Sequence, residues 1–299
     1  TSFFVTNNNK IRFQSRGFNE VITYNLVSRS TLDAEGREQV VRLRNALSEE
    51  QEYLRPGLAG GLLNSLSYNL NRRNRDVRLF EVGHVFGKNY SEGSELALIA
   101  TGRFRDDWQV KDDFDFFYMK GAVKALVNQL GVEEVSFSPC EQNVLLETTQ
   151  AAKVICDGKE VGTLGKINSS VLSRFEIKNA TVFYAQLSLD SLCDLKRERK
   201  MFKPLSIYPS SERDLSLVAK KGVSYGEIAD IIRREAGQYS ISVKLIDIYR
   251  GQQIQKGAVG LTISFELSLS ERTLTEEEVA TVQKEIIKSL KSELEIEIR

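Results

Sequence analysis

The sequence predicts an α+β protein built from two domains. With 299 residues, the chain is longer than a typical domain of about 100–200 residues. Some segments repeat apolar residues every three or four positions, as packed helices do, and others alternate apolar with polar residues, as half-buried strands do. Apolar residues make up 41% of the chain and charged residues 27%, so the disordered and fibrous classes of protein are excluded.

The first domain is predicted to combine helices with strands. A helix-compatible stretch at 3–18 leads into an apolar segment at 21–27 that is typical of a strand. Leucines at every fourth position between Pro56 and Leu70 predict a helix with one buried face. Asp157-Gly158 predicts a hairpin, because this pair readily adopts the positive φ angles of a type I′ turn. The same patterns predict strands at 77–86, 96–101 and 181–187 and a helix at 117–130.

A second domain follows a charged run at 196–200, which gives domain bounds of 1–200 and 203–299. Two capping boxes, Ser224 with Glu227 and Thr275 with Glu278, open its two helices. The order β-α-β-β-α-β is that of a ferredoxin-like fold, in which both helices cover one face of an antiparallel sheet. The other face stays open and can bind unpaired bases, although a fold alone proves no function. The predicted strands are 215–218, 243–249, 259–269 and 295–298.

Several kinds of site and location are not supported by the sequence. No apolar run approaches the roughly 18–20 residues that cross a bilayer, so no membrane contact and a cytoplasmic location are expected. Lys plus Arg equals Asp plus Glu at 41 each, so any nucleic-acid contact has to be local. No catalytic residue and no metal site is predicted, since His84, the aspartates before the 117–130 helix and three widely spaced cysteines fit structural roles.

Short motifs run along nearly the whole chain. They read GFNEVITY at 17–24, LSEEQ at 47–51, LRP at 54–56, DVRLFEVG at 76–83, DFF at 115–117, KG at 120–121, YP at 208–209, RD at 213–214 and Asp247-x-Tyr249-x-Gly251. Each motif is weak alone. Together and in this order, they make the chain resemble the C-terminal part of the beta subunit of bacterial-type phenylalanyl-tRNA synthetase.

The resemblance implies a class II synthetase-like antiparallel-sheet core without a working active site, followed by a ferredoxin-fold anticodon-binding domain. It also implies an α2β2 assembly whose alpha subunit binds phenylalanine and ATP with magnesium, so this fragment is expected to hold no cofactor and to be inactive alone. The residues agree, because a class II site needs two arginines against ATP phosphates and the second arginine signature is absent. Arg78 and Glu81 resemble the first signature, where a structural salt bridge is favoured over contact with ATP.

The resemblance further implies which residues bind the anticodon of phenylalanine tRNA. Asp247 and Tyr249 match family positions, and their side chains leave the same face because they lie two apart on a strand. A base stacked on Tyr249, with a guanine edge donating to Asp247, combines shape and sequence preference. Ser216 matches a small residue near the same base, Gly257 stands where many members carry serine, and Arg299 matches a terminal arginine. From residue 203 onward the chain has 14 Lys and Arg against 15 Asp and Glu, so weak affinity for tRNA is expected.

Two alternatives to this interpretation stay open. In the first, the chain is a scaffold that binds the alpha subunit and makes no contact with RNA. In the second, it is a stand-alone class II ligase-like enzyme, which would need the missing arginine signature. The two alternatives and the anticodon hypothesis differ in whether Tyr249 affects the use of tRNA.

Overall fold

The computed structural model describes residues 16–35, 40–132, 134–195, 207–220, 222–250, 254 and 257–299. The chain divides into two compact units, Thr1–Lys200 and Met201–Arg299, which are described in turn. Most of the helix predicted at 3–18, the charged run at 196–200 and Gly251 lie outside the described residues. Within the described residues, no helix is both long and apolar enough to cross a membrane.

The first unit is built on a large sheet flanked by helices. Its strands are β1 (Asn19–Glu20), β2 (Leu26–Val27), β3 (Tyr53–Leu54), β4 (Val77–Phe86), β5 (Glu92–Thr101), β6 (Arg103–Asp106), β7 (Lys111–Asp113), β8 (Val135–Pro139), β9 (Leu146–Cys156), β10 (Lys159–Ile167) and β11 (Val182–Ser188). Its helices are α1 (Arg29–Glu35), α2 (Ala59–Asn71), α3 (Phe116–Gln129), α4 (Ser169–Arg174) and α5 (Leu189–Cys193). Seven strands form one sheet of order β1-β4-β5-β11-β10-β9-β8, in which only the β1–β4 pair is parallel.

Both faces of the seven-stranded sheet are covered by apolar side chains. On one face, α3 contributes Val123 to a buried cluster that includes Phe80 of β4. On the other face, α2 contributes Leu62 to a second cluster that includes Ile99 of β5. A central strand such as β5 therefore buries residues of both alternating sets, and its last six residues form an unbroken buried run.

Most predicted elements of the first unit are confirmed. Strand β4 has the predicted bounds, and β5 begins four residues earlier than predicted. Helix α2 begins at Ala59, three residues after Pro56, and α3 begins one residue before the predicted start. The hairpin between β9 and β10 is also confirmed, since Asp157 and Gly158 adopt φ angles of 48° and 76°.

The single strand predicted at 21–27 is wrong. Two short strands, β1 and β2, are separated here by residues 21–25, which form no strand. Only the ends of this segment bond to neighbouring described backbone, since the Val21 N–H donates to the Phe80 carbonyl and the Arg55 N–H donates to the Asn25 carbonyl, both at 2.9 Å. The backbone N–H of Thr23 donates to the Glu81 carboxylate at 3.1 Å, and the Thr23 hydroxyl donates to the same group at 2.8 Å. The buried Glu81 side chain, rather than a continuous strand ladder, thus satisfies the polar groups of Thr23 at the centre of this segment.

A buried ion pair between Arg55 and Glu81 holds this part of the first unit together. The Arg55 Nη1 atom lies 2.6 Å from Glu81 Oε1, and the two side chains are only 5% and 1% exposed. Arg55 also donates to the Thr23 hydroxyl at 3.0 Å and to the His84 carbonyl at 2.9 Å. A side chain at Gly83 would overlap the Arg55 guanidinium, so glycine is required for this close approach.

The role expected for Arg78 is also corrected by the structure. Glu81 forms a structural salt bridge, but its partner is Arg55 rather than Arg78. Arg78 and Glu81 are three positions apart on β4, so their side chains leave opposite faces of the strand. Arg78 donates instead to the carbonyls of Arg103 and Phe104, at 2.9 and 3.0 Å.

The second unit has the predicted ferredoxin-like order. Its elements are β12 (Ser211–Lys220), α6 (Tyr225–Ala236), β13 (Ser240–Tyr249), β14 (Ala258–Ser268), α7 (Glu276–Leu294) and β15 (Glu297–Ile298). The four strands form one antiparallel sheet of order β13-β14-β12-β15. Both predicted capping boxes are present, with each hydroxyl accepting from the N3 backbone and each glutamate accepting from the cap. Apolar residues of α6 and α7 share one buried cluster with β12 and β14.

The buried ion pair yields a stability prediction. We expect Glu81→Gln to lower the unfolding free energy of the first unit by about 3–5 kcal/mol, because it leaves the Arg55 charge buried without its carboxylate. The matched control is Glu160→Gln, which breaks the 2.8 Å ion pair between Glu160 and Lys153. The Lys153 side chain is 41% exposed and the Glu160 side chain is 48% exposed. This control should cost less than about 1 kcal/mol. Urea denaturation measures both, and equal losses would contradict the role given to the buried pair.

Candidate nucleic-acid interface

The pairing register of the second unit decides which side chains reach its uncovered sheet face. In an antiparallel pair, residues opposite each other point to the same side of the sheet. Leu215 lies opposite Ile263 and Leu217 opposite Leu261, and all four are buried against the helices. Ser216, which lies opposite Thr262, therefore points to the face away from the helices.

A β-bulge in β13 places Asp247 and Tyr249 on this same open face. Leu245 lies opposite Ile263, but Asp247 lies opposite Thr262, so Ile246 is an extra residue in the ladder. Without this extra residue, Asp247 would lie opposite Leu261 and would turn toward the helices. The bulge leaves the Ile246 side chain 59% exposed. Sequence spacing put Asp247 and Tyr249 on one face, and the bulge determines which face that is.

A row of side chains crosses three strands of the open face. Asp247 of β13 lies opposite Thr262 of β14, and Thr262 lies opposite Ser216 of β12. The backbone N–H of Arg299 donates to the Ser216 carbonyl at 2.9 Å, which brings the end of the chain beside the row. We call Asp247, Thr262 and Ser216 the polar row. Since neighbouring strands are about 4.8 Å apart, the polar row is about 10 Å long.

Tyr249 lies in the next row of the open face. It is opposite Gly260, and its side chain is 46% exposed. Gly260 has no side chain, and the Ile254 side chain occupies the space that a Cβ atom would need. Since Tyr249 is half-exposed, part of its ring is accessible to a stacking base.

Gly257 is not brought to the polar row. It precedes β14 by one residue and lies five positions before Thr262, which is about 17 Å along an extended strand. Its φ angle is +93°, a conformation that favours glycine, although no atom would lie within 4 Å of an added Cβ atom. The backbone thus explains why glycine suits this position, whereas nothing in the contacts of Gly257 ties it to the other predicted residues.

Thr262 is a candidate that the sequence did not single out. It occupies the centre of the polar row, and its hydroxyl makes no hydrogen bond to any residue that the structure describes. The alternation of β14 does place Thr262 on the polar face of its strand. Its position between Ser216 and Asp247 follows only from the cross-strand register, which residue spacing along one strand does not contain.

The open face is mainly acidic. The register directs more carboxylates than cations toward it among the described residues. A phosphate backbone is repelled by such a surface, whereas hydrogen-bond donors on a base edge are attracted to it. The carboxylates are Glu212, Asp214, Asp247, Glu266 and Glu297, and the cations are Lys220, Lys244 and Arg299.

The first unit has a cavity of about 550 Å³ on its antiparallel sheet. Three of its lining residues are joined by hydrogen bonds. The Tyr184 hydroxyl donates to the Gln186 side chain at 2.9 Å, and the Gln186 amide donates to the Glu95 carboxylate at 2.8 Å. Its described lining residues include two glutamates, Glu95 and Glu160, and no lysine or arginine. This cavity therefore provides no side-chain cation for a phosphate group.

Comparisons with solved structures define the class of fold. A pyrrolysyl-tRNA synthetase from Desulfitobacterium hafniense superposes with a TM-score of 0.53 at 15% identity, over 64% of this chain and 68% of that chain. A second structure, PylSc from the same organism, gives a TM-score of 0.50 at 18% identity, over 62% and 66%. The predicted class II synthetase-like α+β architecture is thus confirmed, and at these identities the likeness concerns the fold alone.

Sequence comparisons then identify the family. Residues 6–189 match "Phenylalanyl tRNA synthetase beta chain CLM domain", and residues 206–299 match "Ferredoxin-fold anticodon binding domain". The chain belongs to the phenylalanyl-tRNA synthetase beta chain family.

Curated relatives agree with this assignment. The phenylalanine–tRNA ligase beta subunit of Listeria monocytogenes serotype 4b is 33% identical over 296 residues, covering 96% of this chain and 36% of the relative. That of Carboxydothermus hydrogenoformans is 30% identical over 294 residues, covering 95% and 37%. The chain therefore spans little more than a third of the length of these relatives.

Proposed function

We propose that this chain serves a phenylalanine–tRNA ligase as part of its beta subunit, with the second unit recognising the tRNA anticodon. The observation that carries the proposal is the polar row, which lies beside Tyr249 on the one sheet face that the helices of the unit leave open. The match of residues 206–299 to an anticodon-binding family supports the same conclusion.

The polar row suits the edge of a guanine. Guanine presents two neighbouring donors, N1–H and the N2 amino group. The Asp247 carboxylate can accept from both, because Oδ1 accepts only one other hydrogen bond from the described residues, that of the Ile248 backbone N–H at 2.9 Å. Adenine and cytosine present a ring acceptor at the corresponding place, so the carboxylate repels them. The hydroxyls of Thr262 and Ser216 donate or accept as the remaining base atoms require, and the backbone N–H of Arg299 holds that residue next to Ser216.

The Tyr249 ring is proposed to contribute to binding affinity and not to the recognition of a particular base. Stacking of an unpaired base on an aromatic ring contributes about 1–3 kcal/mol per base and tolerates any base. The acidic character of the open face makes phosphate contacts there unfavourable, so binding depends on stacking and on the base edge. The second unit is accordingly a specificity element that needs other contacts for tight binding.

The first unit is proposed to pair with the alpha subunit in an α2β2 enzyme and to carry out no chemistry itself. The cavity beside Glu95 has no lining cation among the described residues, and a larger cavity beside Arg75 is lined by more carboxylates than cations. The Arg78 guanidinium is bonded to the backbone carbonyls of Arg103 and Phe104. ATP phosphates need such cations in their site. Phenylalanine, ATP and magnesium are proposed to bind to the alpha subunit of the full enzyme.

The anticodon role predicts a separation of two activities. In the enzyme assembled with its alpha subunit, Tyr249→Ala should lower kcat/KM for tRNA aminoacylation about 5- to 150-fold, the equivalent of losing about 1–3 kcal/mol of stacking. Phenylalanine-dependent ATP–pyrophosphate exchange should not change, because activation of the amino acid precedes the use of tRNA.

Two controls accompany this comparison. Tyr249→Phe keeps the ring and should stay near the wild-type rate. Ile248→Ala removes a similarly exposed apolar side chain that lies opposite Leu261 and leaves the other face of the strand, and it should also stay near the wild-type rate. An unchanged aminoacylation rate for Tyr249→Ala would remove the anticodon role and would leave the scaffold alternative.

If the first unit is catalytically inactive, we expect this chain alone to have no ATP–pyrophosphate exchange activity. Phenylalanine-dependent ATP–pyrophosphate exchange should be at background with the purified chain and should rise when a matching alpha subunit is added. Exchange by the chain alone would reveal a working synthetase site and would favour the stand-alone enzyme.

A further inference from the structure

An arginine cluster marks the C-terminal end of α2. Arg72, Arg73 and Arg75 fall within four residues and are all exposed. None of the three forms an ion pair with a carboxylate of the residues that the structure describes. The end of a helix favours positive charge, but this effect is only about 0.3–1 kcal/mol per group and does not account for three adjacent arginines.

The turn that carries the arginine cluster is well held by its backbone. The N–H groups of Arg72 and Arg73 donate to carbonyls of the last helical turn at 3.0 Å, and that of Asn74 donates to Asn69 at 3.1 Å. Arg73 has a φ angle of 67°, the left-handed conformation that ends many helices. The cations thus project from an ordered turn, which lowers the entropy lost when a ligand binds.

A flat aromatic platform lies beside the cluster. The Arg72 guanidinium stacks over the Tyr68 ring at 3.4 Å from its centroid, and Tyr68 is 58% exposed. Nucleic-acid bases stack on tyrosine rings and on arginine planes, and arginine binds phosphate through two parallel hydrogen bonds. Tyr68 and the arginine cluster together present both kinds of contact.

We propose that Tyr68 and the arginine cluster form a second RNA-binding surface, on the first unit, which takes a phosphodiester backbone with an unpaired base. An acidic protein surface is less well matched, because the stacked tyrosine would then have no specific use. The proposal is independent of the anticodon role, since it needs neither Asp247 nor Tyr249.

The cations of the second unit are less available for RNA. Many of its described lysines and arginines are already bound to carboxylates, whereas the arginine cluster is not. These pairs are Arg213–Glu276, Lys220–Glu295, Arg233–Asp230, Arg234–Glu293, Arg272–Glu278 and Lys288–Glu285. Binding RNA through them would require breaking these pairs first.

The RNA is expected on the outer surface of α2 and not inside the neighbouring cavity. Arg75 also lines an open cavity of about 1320 Å³, together with two other cations, Arg103 and Lys178. The same cavity carries four carboxylates, which outnumber these cations. The electrostatic attraction of a polyanion is therefore strongest at Arg72 and Arg73, which do not line this acidic cavity. The four carboxylates are Asp76, Asp113, Asp115 and Glu176.

The test is the salt dependence of RNA binding by this chain. The probe is a labelled phenylalanine tRNA transcript, used beside a second transcript whose anticodon guanine is replaced by cytosine. The triple variant Arg72→Gln, Arg73→Gln, Arg75→Gln should bind both transcripts at least about tenfold more weakly at low salt. Its slope of log affinity against log salt should fall by about 2, the value for three lost contacts to single-stranded phosphates.

The control is Lys284→Gln, Lys288→Gln, Lys291→Gln on α7, which makes the same change in net charge. It should alter binding less than threefold. Tyr68→Leu removes the platform alone and should weaken binding with an unchanged salt slope, which keeps the proposal testable if the triple variant folds poorly.

The second RNA-binding surface would be ruled out if the folded triple arginine variant and Tyr68→Leu both bound RNA like the wild type. It would also be ruled out if the lysine control lost as much affinity as the arginine variant. Asp247→Asn should reduce the preference for the transcript with the anticodon guanine, whereas the arginine variant should weaken the binding of both transcripts equally. Failure of the anticodon role is thereby distinguished from failure of this proposal.

Discussion

The antiparallel register of the second unit is the constraint on which its function depends. Because side chains alternate with a period of two, pairing Leu215 with Ile263 fixes one face as core and the other as polar. The extra residue Ile246 then reverses the alternation for the end of β13 and carries Asp247 and Tyr249 to the polar face. Loss of that one bulge would turn both side chains toward the helices without changing any residue at the site.

The two units use polar groups in opposite ways. The first unit covers both faces of its sheet and buries the Arg55–Glu81 ion pair. This pair links β4 to the segment around Thr23, because both side chains bond to the Thr23 hydroxyl. The second covers one face only, so Thr262 and Asp247 remain available to a ligand. This division agrees with a first unit that pairs with a partner and a second unit that reads a base.

Local patterns predicted much of the fold, and long-range partners account for what they missed. Both capping boxes and β4 were predictable, because their signals lie within a few residues. The strand predicted at 21–27 failed because the partner of Thr23 is Glu81, 58 residues away. Arg55, the partner of Glu81 in the buried ion pair, was missed for the same reason, since it lies 26 residues away in the sequence. At the site, the spacing of Asp247 and Tyr249 gave a shared face, but neither the bulge nor the central position of Thr262 can be derived from one strand alone.

The most direct test of the account is a double-mutant cycle between Asp247→Asn and replacement of the anticodon guanine by inosine, which lacks only the N2 amino group. The quantity to measure is kcat/KM for aminoacylation by the enzyme assembled with its alpha subunit. If the Asp247 carboxylate accepts from the guanine edge, the two changes should couple by about 1–3 kcal/mol. Additive effects, within about 0.5 kcal/mol, would contradict recognition of the anticodon on the open face.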